Sequence, residues 1–200
     1  MTRGSPVRLI LTFSLPLLVG NIFQQLYNMV DTMIVGRFVS TQALAGVGST
    51  GAISFLIMGF AMGVTSGFSV VISQRFGAND EKGLRSAVAM SVYLCVALTV
   101  VMTLVSTLAT RPLLMLMNTP DDMFADAYQY IFTIFAGMAA PIFYNMLAGI
   151  LRALGDSRTP LYFLILSSVL NVGLDLLFIL SFHMGVIGAA VATIISQVVS

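Results

Sequence analysis

The sequence predicts an all-α polytopic membrane protein, and three observations carry that prediction. Hydrophobic residues make up 58% of the 200-residue chain and charged residues only 8%. Soluble domains carry about 25% charged residues, so this chain lacks the polar surface to coat a soluble fold. The mean hydropathy is +0.99. The apolar residues fall into runs of about 20 or more, the length a helix needs to cross a bilayer, separated by short connections that hold most of the charged residues.

Composition also excludes other classes. The net charge of +1 gives no reason to expect nucleic acid or an acidic partner. Cys95 is the only cysteine and lies in an apolar run. It cannot form a disulfide within this chain, no zinc-ligand spacing is present, and it reads as a small core residue.

Span one is expected over 9–35. Arg3 and Arg8 precede an apolar run, as in a signal peptide, but the run continues past Asn21 to Ile34 without an A-x-A-like cleavage site. It therefore reads as a retained span. Pro16 lies inside it, and a proline there removes a helix hydrogen bond and invites a bend. The stretch PLLVGNIFQQLYNMVDTMIVGR, residues 16–37, also carries Asn21, Gln24, Asn28 and Asp31. At about 100° per residue these four fall within an arc of roughly 80° on one face. An acid near the middle of a membrane helix costs roughly 2.5–3.5 kcal/mol on insertion scales, so an aligned polar face is expected to serve function.

Span two, 43–73, carries Gly59, Gly63 and Gly67 four residues apart. That spacing suits either close helix packing or a helix that slides or bends. The connection QRFGANDEKGLR, residues 74–85, is a water-exposed loop with a helix start at Asn79 or Asp80. Span three, 84–109, has few polar features. Residues 111–126 form the next connection, where Asp121, Asp122 and Asp126 read as a solvated helix start.

Span four, 127–151, contains Pro141, Tyr144 and Asn145, and a kink is expected at Pro141. LRALGDSRTP, residues 151–160, ends one helix at Gly155 and begins another near Pro160. Span five, 161–182, holds a second polar stripe of Ser167, Ser168, Asn171 and Asp175. These lie within roughly a 100° arc. His183 then reads as an interfacial residue. Span six begins near Gly185 or Val186, carries Thr193 and Gln197, and stops at Ser200. That is short of the roughly 20 residues a span needs, so the chain is expected to be a fragment.

Basic residues orient the chain. Arg3, Arg8, Arg75, Lys82, Arg85, Arg152 and Arg158 lie at the N-terminus or after even-numbered spans, while Arg37 and Arg111 follow odd-numbered ones. That imbalance places the N-terminus in the cytoplasm.

Asp31 and Asp175 are the only acids deep in spans, and each has an amide one turn away, Asn28 and Asn171 respectively. Carboxylate and amide oxygens are hard ligands suited to a small cation such as Na⁺. Burial and mutual repulsion also let one acid of such a pair load and release a proton. Tyr27 lies one turn from Asp31 and is placed to donate a hydrogen bond to it. No basic residue lies deep in a span, so the natural partner is a proton or a metal cation. The 13 Met and 14 Phe suit a pocket for varied apolar ligands, although most such residues face lipid or pack helices. Asn21, Gln24, Asn28, Tyr144 and Asn145 are candidates to line a substrate cavity.

With these residues in view, the chain resembles the multidrug and toxic compound extrusion (MATE) transporters, of the bacterial DinF-like type. The resemblance runs the whole length. It rests on Pro16, Tyr27 and Asp31 followed by VGR, on RFGANDEKG, on RALGDSRTP, and on NVGLD at 171–175. It implies a six-helix transmembrane lobe, the N-terminal half of a twelve-span, two-lobe transporter with a central substrate cavity. It implies a cation site of Tyr27, Asp31, Asn171, Asp175 and Thr193, with Asp31, Asn171 and Asp175 as the metal ligands if Na⁺ couples, and a hinge at Pro16. The implied activity is export of organic cations or amphipathic drugs across the cytoplasmic (inner) membrane in exchange for H⁺ or Na⁺. No enzymatic step and no cofactor are implied. The partners are a small organic substrate, the bilayer and the C-terminal lobe.

Three rivals remain. A lipid-linked oligosaccharide flippase of the same superfamily would be expected to place arginine or lysine in its cavity, and none lies deep in a span. An intramembrane aspartyl protease needs a G-x-G-D signature, yet Asp156 follows Ala153-Leu154-Gly155 in a connection. A non-transporting subunit leaves both polar stripes unexplained.

Overall fold

The computed structural model describes residues 6–200. Arg3 and the side chain of Arg8, part of the orientation argument, lie outside the described residues. Eight α-helices follow one another: α1 Pro6–Phe38, α2 Thr41–Ser49, α3 Gly51–Gly77, α4 Glu81–Leu116, α5 Asp121–Ala136, α6 Ala139–Ala153, α7 Arg158–Leu176 and α8 Gly185–Val199. A π-helical turn, Leu177–Ser181, extends α7. Grouping α2 with α3 and α5 with α6 gives the six helical units of an all-α polytopic lobe. Four helical segments are long and apolar enough to cross a membrane, and a fifth is gained if α5 and α6 count as one.

Local chemistry explains the boundaries. The Ser40 hydroxyl caps α2 by accepting from the Ala43 N–H at 2.9 Å. The stretch expected as one span over 43–73 is divided at Thr50, whose N–H and hydroxyl both turn back to the Val47 carbonyl. Glycines flank that point, and hydroxyl back-bonding and glycine both weaken a helix. Asn79 takes a left-handed φ of +54° after α3. Asp80 then caps α4 through Gly83 N–H at 2.9 Å and pairs with Arg75 at 3.0 Å.

Helix α4 runs seven residues past the expected end of span three, through Arg111 and Pro112, because Leu114 there is fully buried. The kink expected at Pro141 falls one turn earlier. α5 and α6 are inclined by 47° at the break between them. Pro141 has no N–H to give the Gly137 carbonyl and its ring crowds that position, so the helix parts at Gly137 and Met138 and Pro141 sits in the first turn of α6. Gly155, at φ +94°, ends α6. Asp156 accepts from the Thr159 hydroxyl and from the Thr159 and Arg158 N–H groups. The Thr159 hydroxyl, first among these, holds the Asp156 carboxyl below the usual carboxylate range. α1 runs unbroken through Pro16.

The helices pack as α3 on α6, α1 on α7, α2 on α5, and α8 against α5 and α7. Gly46 lets α2 approach α5 so closely that a Cβ there would lie 3.2 Å from the Met123 carbonyl oxygen. One apolar core joins α3, α4, α5 and α6 around Phe135, Ile131 and Leu114, and contains Cys95. A second joins α1, α2, the π-turn and α8 around Val35, Ile179 and Ala189. Large apolar side chains cover the outside, among them Phe55, Leu108 and Leu116. The chain is therefore a multi-pass membrane protein, its outer surface made for hydrocarbon. Gly59, Gly63 and Gly67 also face outward, and a Cβ at any of them would meet nothing within 4 Å. Their spacing serves no helix packing among the described residues.

Candidate functional site

The two intramembrane acids meet between α1, α7 and α8. Asn171 and Asp175 are fully buried and Asp31 is 8% exposed. The Asp31 and Asp175 carboxyls lie within hydrogen-bonding reach of each other. Assigned from its surroundings, the Asn171 amide nitrogen donates to Asp175 Oδ2 at 2.9 Å, and its oxygen accepts from the Thr193 N–H at 3.2 Å. The Tyr27 hydroxyl donates to Thr193 Oγ1 at 3.2 Å. The five residues singled out as a cation site thus form one cluster.

Two details differ from the expected pairings. Tyr27 spends its proton on Thr193 rather than Asp31. Asn28 faces away from Asp31 and accepts a 3.3 Å bond from Gln24. The helical wheel explains this second difference. The polar arc of α1 is buried at Asp31, half-buried at Tyr27 and Gln24, and exposed at its Asn21–Asn28 edge.

Two further residues join the cluster that sequence reasoning did not select. Tyr130 of α5 stands close enough to Asp31, Asp175 and Tyr27 to feel their charge. Ser196 lies one turn beyond Thr193 on the same face, is buried, and donates to the Thr193 carbonyl at 2.9 Å. The i, i+3 spacing of Thr193 and Ser196 was a usable signal. Tyr130 had none, because it is one aromatic among many in α5.

One oxygen of each acid, Asp31 Oδ1 and Asp175 Oδ1, is buried without a hydrogen-bond partner. Among the described residues the one salt bridge is Arg75–Asp80, far along the chain from either acid. Two buried carboxyls in contact need a proton between them or a cation beside them. The free carboxyl oxygens and the Tyr27 and Thr193 hydroxyls are oxygen ligands, which suit a proton or an alkali cation, while the Asn171 amide holds Asp175 in place through its nitrogen. No cluster of three or more His, Cys, Asp or Glu occurs among the described residues.

The five substrate-cavity candidates separate. A largely apolar cavity of about 580 Å³ opens between α6, α7 and α8, lined by Phe143, Tyr144, Leu147, Phe163 and Gln197 among others. The Tyr144 hydroxyl at its wall donates to the Pro160 carbonyl at 3.2 Å. Asn145 turns to the other side of α6, into a narrow cleft with Met58 and Thr65, and bonds the Pro141 carbonyl at 2.8 Å. Asn21, Gln24 and Asn28 stay on α1 and line neither space.

Comparison with known proteins agrees with this architecture. The family model MatE matches residues 16–177. The probable multidrug resistance protein YpnP of Bacillus subtilis is 33% identical over 196 residues, covering 98% of this chain and 44% of the relative. Among solved structures, a MOP superfamily transporter from Pyrococcus furiosus, described as having a binding pocket of reversed polarity that suggests a different function, superposes with a TM-score of 0.91 at 34% identity, over 98% of this chain and 43% of that one. A MATE protein in the bent conformation gives 0.90 at 33% identity, over 98% and 44%. The chain spans less than half the length of these relatives.

Proposed function

The chain belongs to the MatE family, whose relatives are named as multidrug resistance and export proteins, and from that premise we propose that it is the N-terminal lobe, residues 1–200, of a secondary antiporter. In this reading the full-length protein sits in the cytoplasmic membrane with its N-terminus inside. It exports organic cations or amphipathic drugs in exchange for H⁺ or Na⁺. The observation that carries the reading is the buried pair Asp31 and Asp175, each with an oxygen left unpaired. Such oxygens are costly to leave bare in a membrane interior, and a transported cation satisfies them.

The chain's own residues then divide the work. Asp31 on α1 and Asp175 on α7 hold the ion or proton. Asn171 orients Asp175, and Tyr27 and Thr193 tie α1 to α8. The ion binds where three helices meet, so it favours the packing that brings them together. Coupling requires it to bind the two transport states with different affinity, and a contact between α1 and α7–α8 that forms in one state supplies that difference. Pro16, near the start of α1, is the position at which that helix can bend. The exposed edge of the α1 stripe, Asn21 and Asn28, is too polar for lipid and suits a water-filled cavity facing the second lobe. The flippase alternative needs cationic side chains for a pyrophosphate headgroup, and neither the acid cluster nor the apolar cavity presents one.

The test is efflux of a fluorescent organic cation from vesicles containing the full-length protein, under a Na⁺ gradient and a pH gradient imposed separately. Efflux under the Na⁺ gradient at constant pH makes the cluster a Na⁺ site. Efflux under the pH gradient alone makes it a proton carrier. Neither gradient driving efflux refutes the antiporter assignment.

A further inference from the structure

We propose that Ile194 and Gly137 act as wedge and notch, positioning residues through which the ion cluster sets the bend between α5 and α6 and hence the shape of the apolar cavity. The inference rests on the antiporter reading. Three observations meet at this point.

First, the α5–α6 junction is a bend in which the Gly137 carbonyl accepts the Ala140 N–H in a tighter turn in place of a regular helix bond. Pro141 withholds a hydrogen bond from the Gly137 carbonyl, and the helices there are inclined by 47°. Second, Ile194 occupies the space that a side chain at Gly137 would need. The three atoms nearest to a Cβ built on Gly137 all belong to Ile194. Third, Ile194 directly follows Thr193, which takes the Tyr27 hydroxyl bond and offers its N–H to Asn171. A rigid helix cannot move Thr193 without moving Ile194.

The groups facing this part of α8 come from three helices: Tyr27 and Asp31 from α1, Tyr130 from α5, and Asn171 and Asp175 from α7. Any ion that redraws the bonds to Thr193 therefore shifts Ile194 in its notch. Beyond the break, the first turns of α6 carry Ala140, Phe143 and Tyr144 to the cavity wall, and α8 carries Gln197 there, one turn past Thr193. The two walls are joined by the wedge. A change in the bend opens or narrows the space between them without the ion and the cavity ligand ever touching.

The experiment measures ethidium affinity of the full-length protein in lipid nanodiscs, with and without Na⁺ and at high and low pH. In the wild type the coupling ion is expected to shift the affinity by about fivefold or more. Ile194→Ala empties the wedge and Gly137→Ala blocks the notch. Each should cut that shift to less than about twofold whatever it does to the ion-free affinity, and Ile194→Val, a milder change that preserves folding, should fall between. A merely structural role for the pair would lower the melting temperature and both affinities alike, leaving their ratio intact. A full wild-type shift retained by all three variants overturns the wedge alone. A wild type whose ethidium affinity ignores both ions overturns the antiporter reading and the wedge with it.

Discussion

The two halves of this lobe differ in how their buried polar groups are satisfied. On the α3–α6 side, buried hydroxyls close on their own helices. Thr65 bonds the Ala61 and Met62 carbonyls, Ser91 that of Ala87, Ser106 that of Met102, and Thr110 that of Ser106, with one weak contact across helices from Ser106 to the Met138 sulfur at 3.4 Å. Thr99 is left without a partner, but an alcohol costs far less to leave so than a carboxylate. On the α1–α7–α8 side, Ser167 and Ser196 also bond carbonyls of their own helices, but Tyr27 reaches across to Thr193 and the acids Asp31 and Asp175 end in unpaired carboxyl oxygens. A hydroxyl satisfied within its own turn is indifferent to how helices move against one another. A group satisfied only across helices, or by an ion, responds to that movement. In the proposed antiporter the first half serves as a frame and the second is the part whose packing an ion alters.

Substitutions test this contrast in order of expected effect. Asp31→Asn and Asp175→Asn should each reduce ion-driven efflux by the full-length protein to the background of empty vesicles at unchanged membrane expression, and either variant transporting at the normal rate would break the comparison. Asn171→Leu removes the donor to Asp175 Oδ2 and should weaken apparent ion affinity by about tenfold or more, read from efflux against ion concentration. Tyr27→Phe cuts one tie between α1 and α8 while keeping the ring, and a severalfold loss of apparent affinity is expected in the same assay. Thr110→Val, in the frame, should change thermal stability by no more than about 1 kcal/mol and leave efflux within about twofold. A large transport defect from Thr110→Val would show that the frame also takes part.

Much of this was legible in the sequence because acids inside apolar runs are conspicuous. The 3.6-residue period placed Asp31 on a stripe and set Asn171 one turn from Asp175. What the period could not give was depth within the stripe. Asn21 and Asn28 share an arc with Asp31 yet lie on its exposed edge, since burial is decided by the neighbouring helix. The α5–α6 break was expected at the proline and found a turn before it, because proline acts on the carbonyl four residues earlier. The break at Thr50 carries no proline and was hidden inside a continuous apolar pattern. Arg111 and Pro112 read as loop residues, but burial of Leu114 keeps the helix going. Tyr130 enters the cluster only through the packing of α5, which local sequence does not encode.

Cys95 lies fully buried among Ile131, Phe135 and Ile142 in the frame. Shielded in this way, the lone native thiol of these 200 residues will be slow to meet a maleimide or a spin label. The chain therefore offers a nearly silent background for attaching reporters. A cysteine placed on the outward face of α3 or along the exposed edge of α1 would be labelled selectively, and distances between such reporters could be followed through a transport cycle without first replacing a native residue in this lobe.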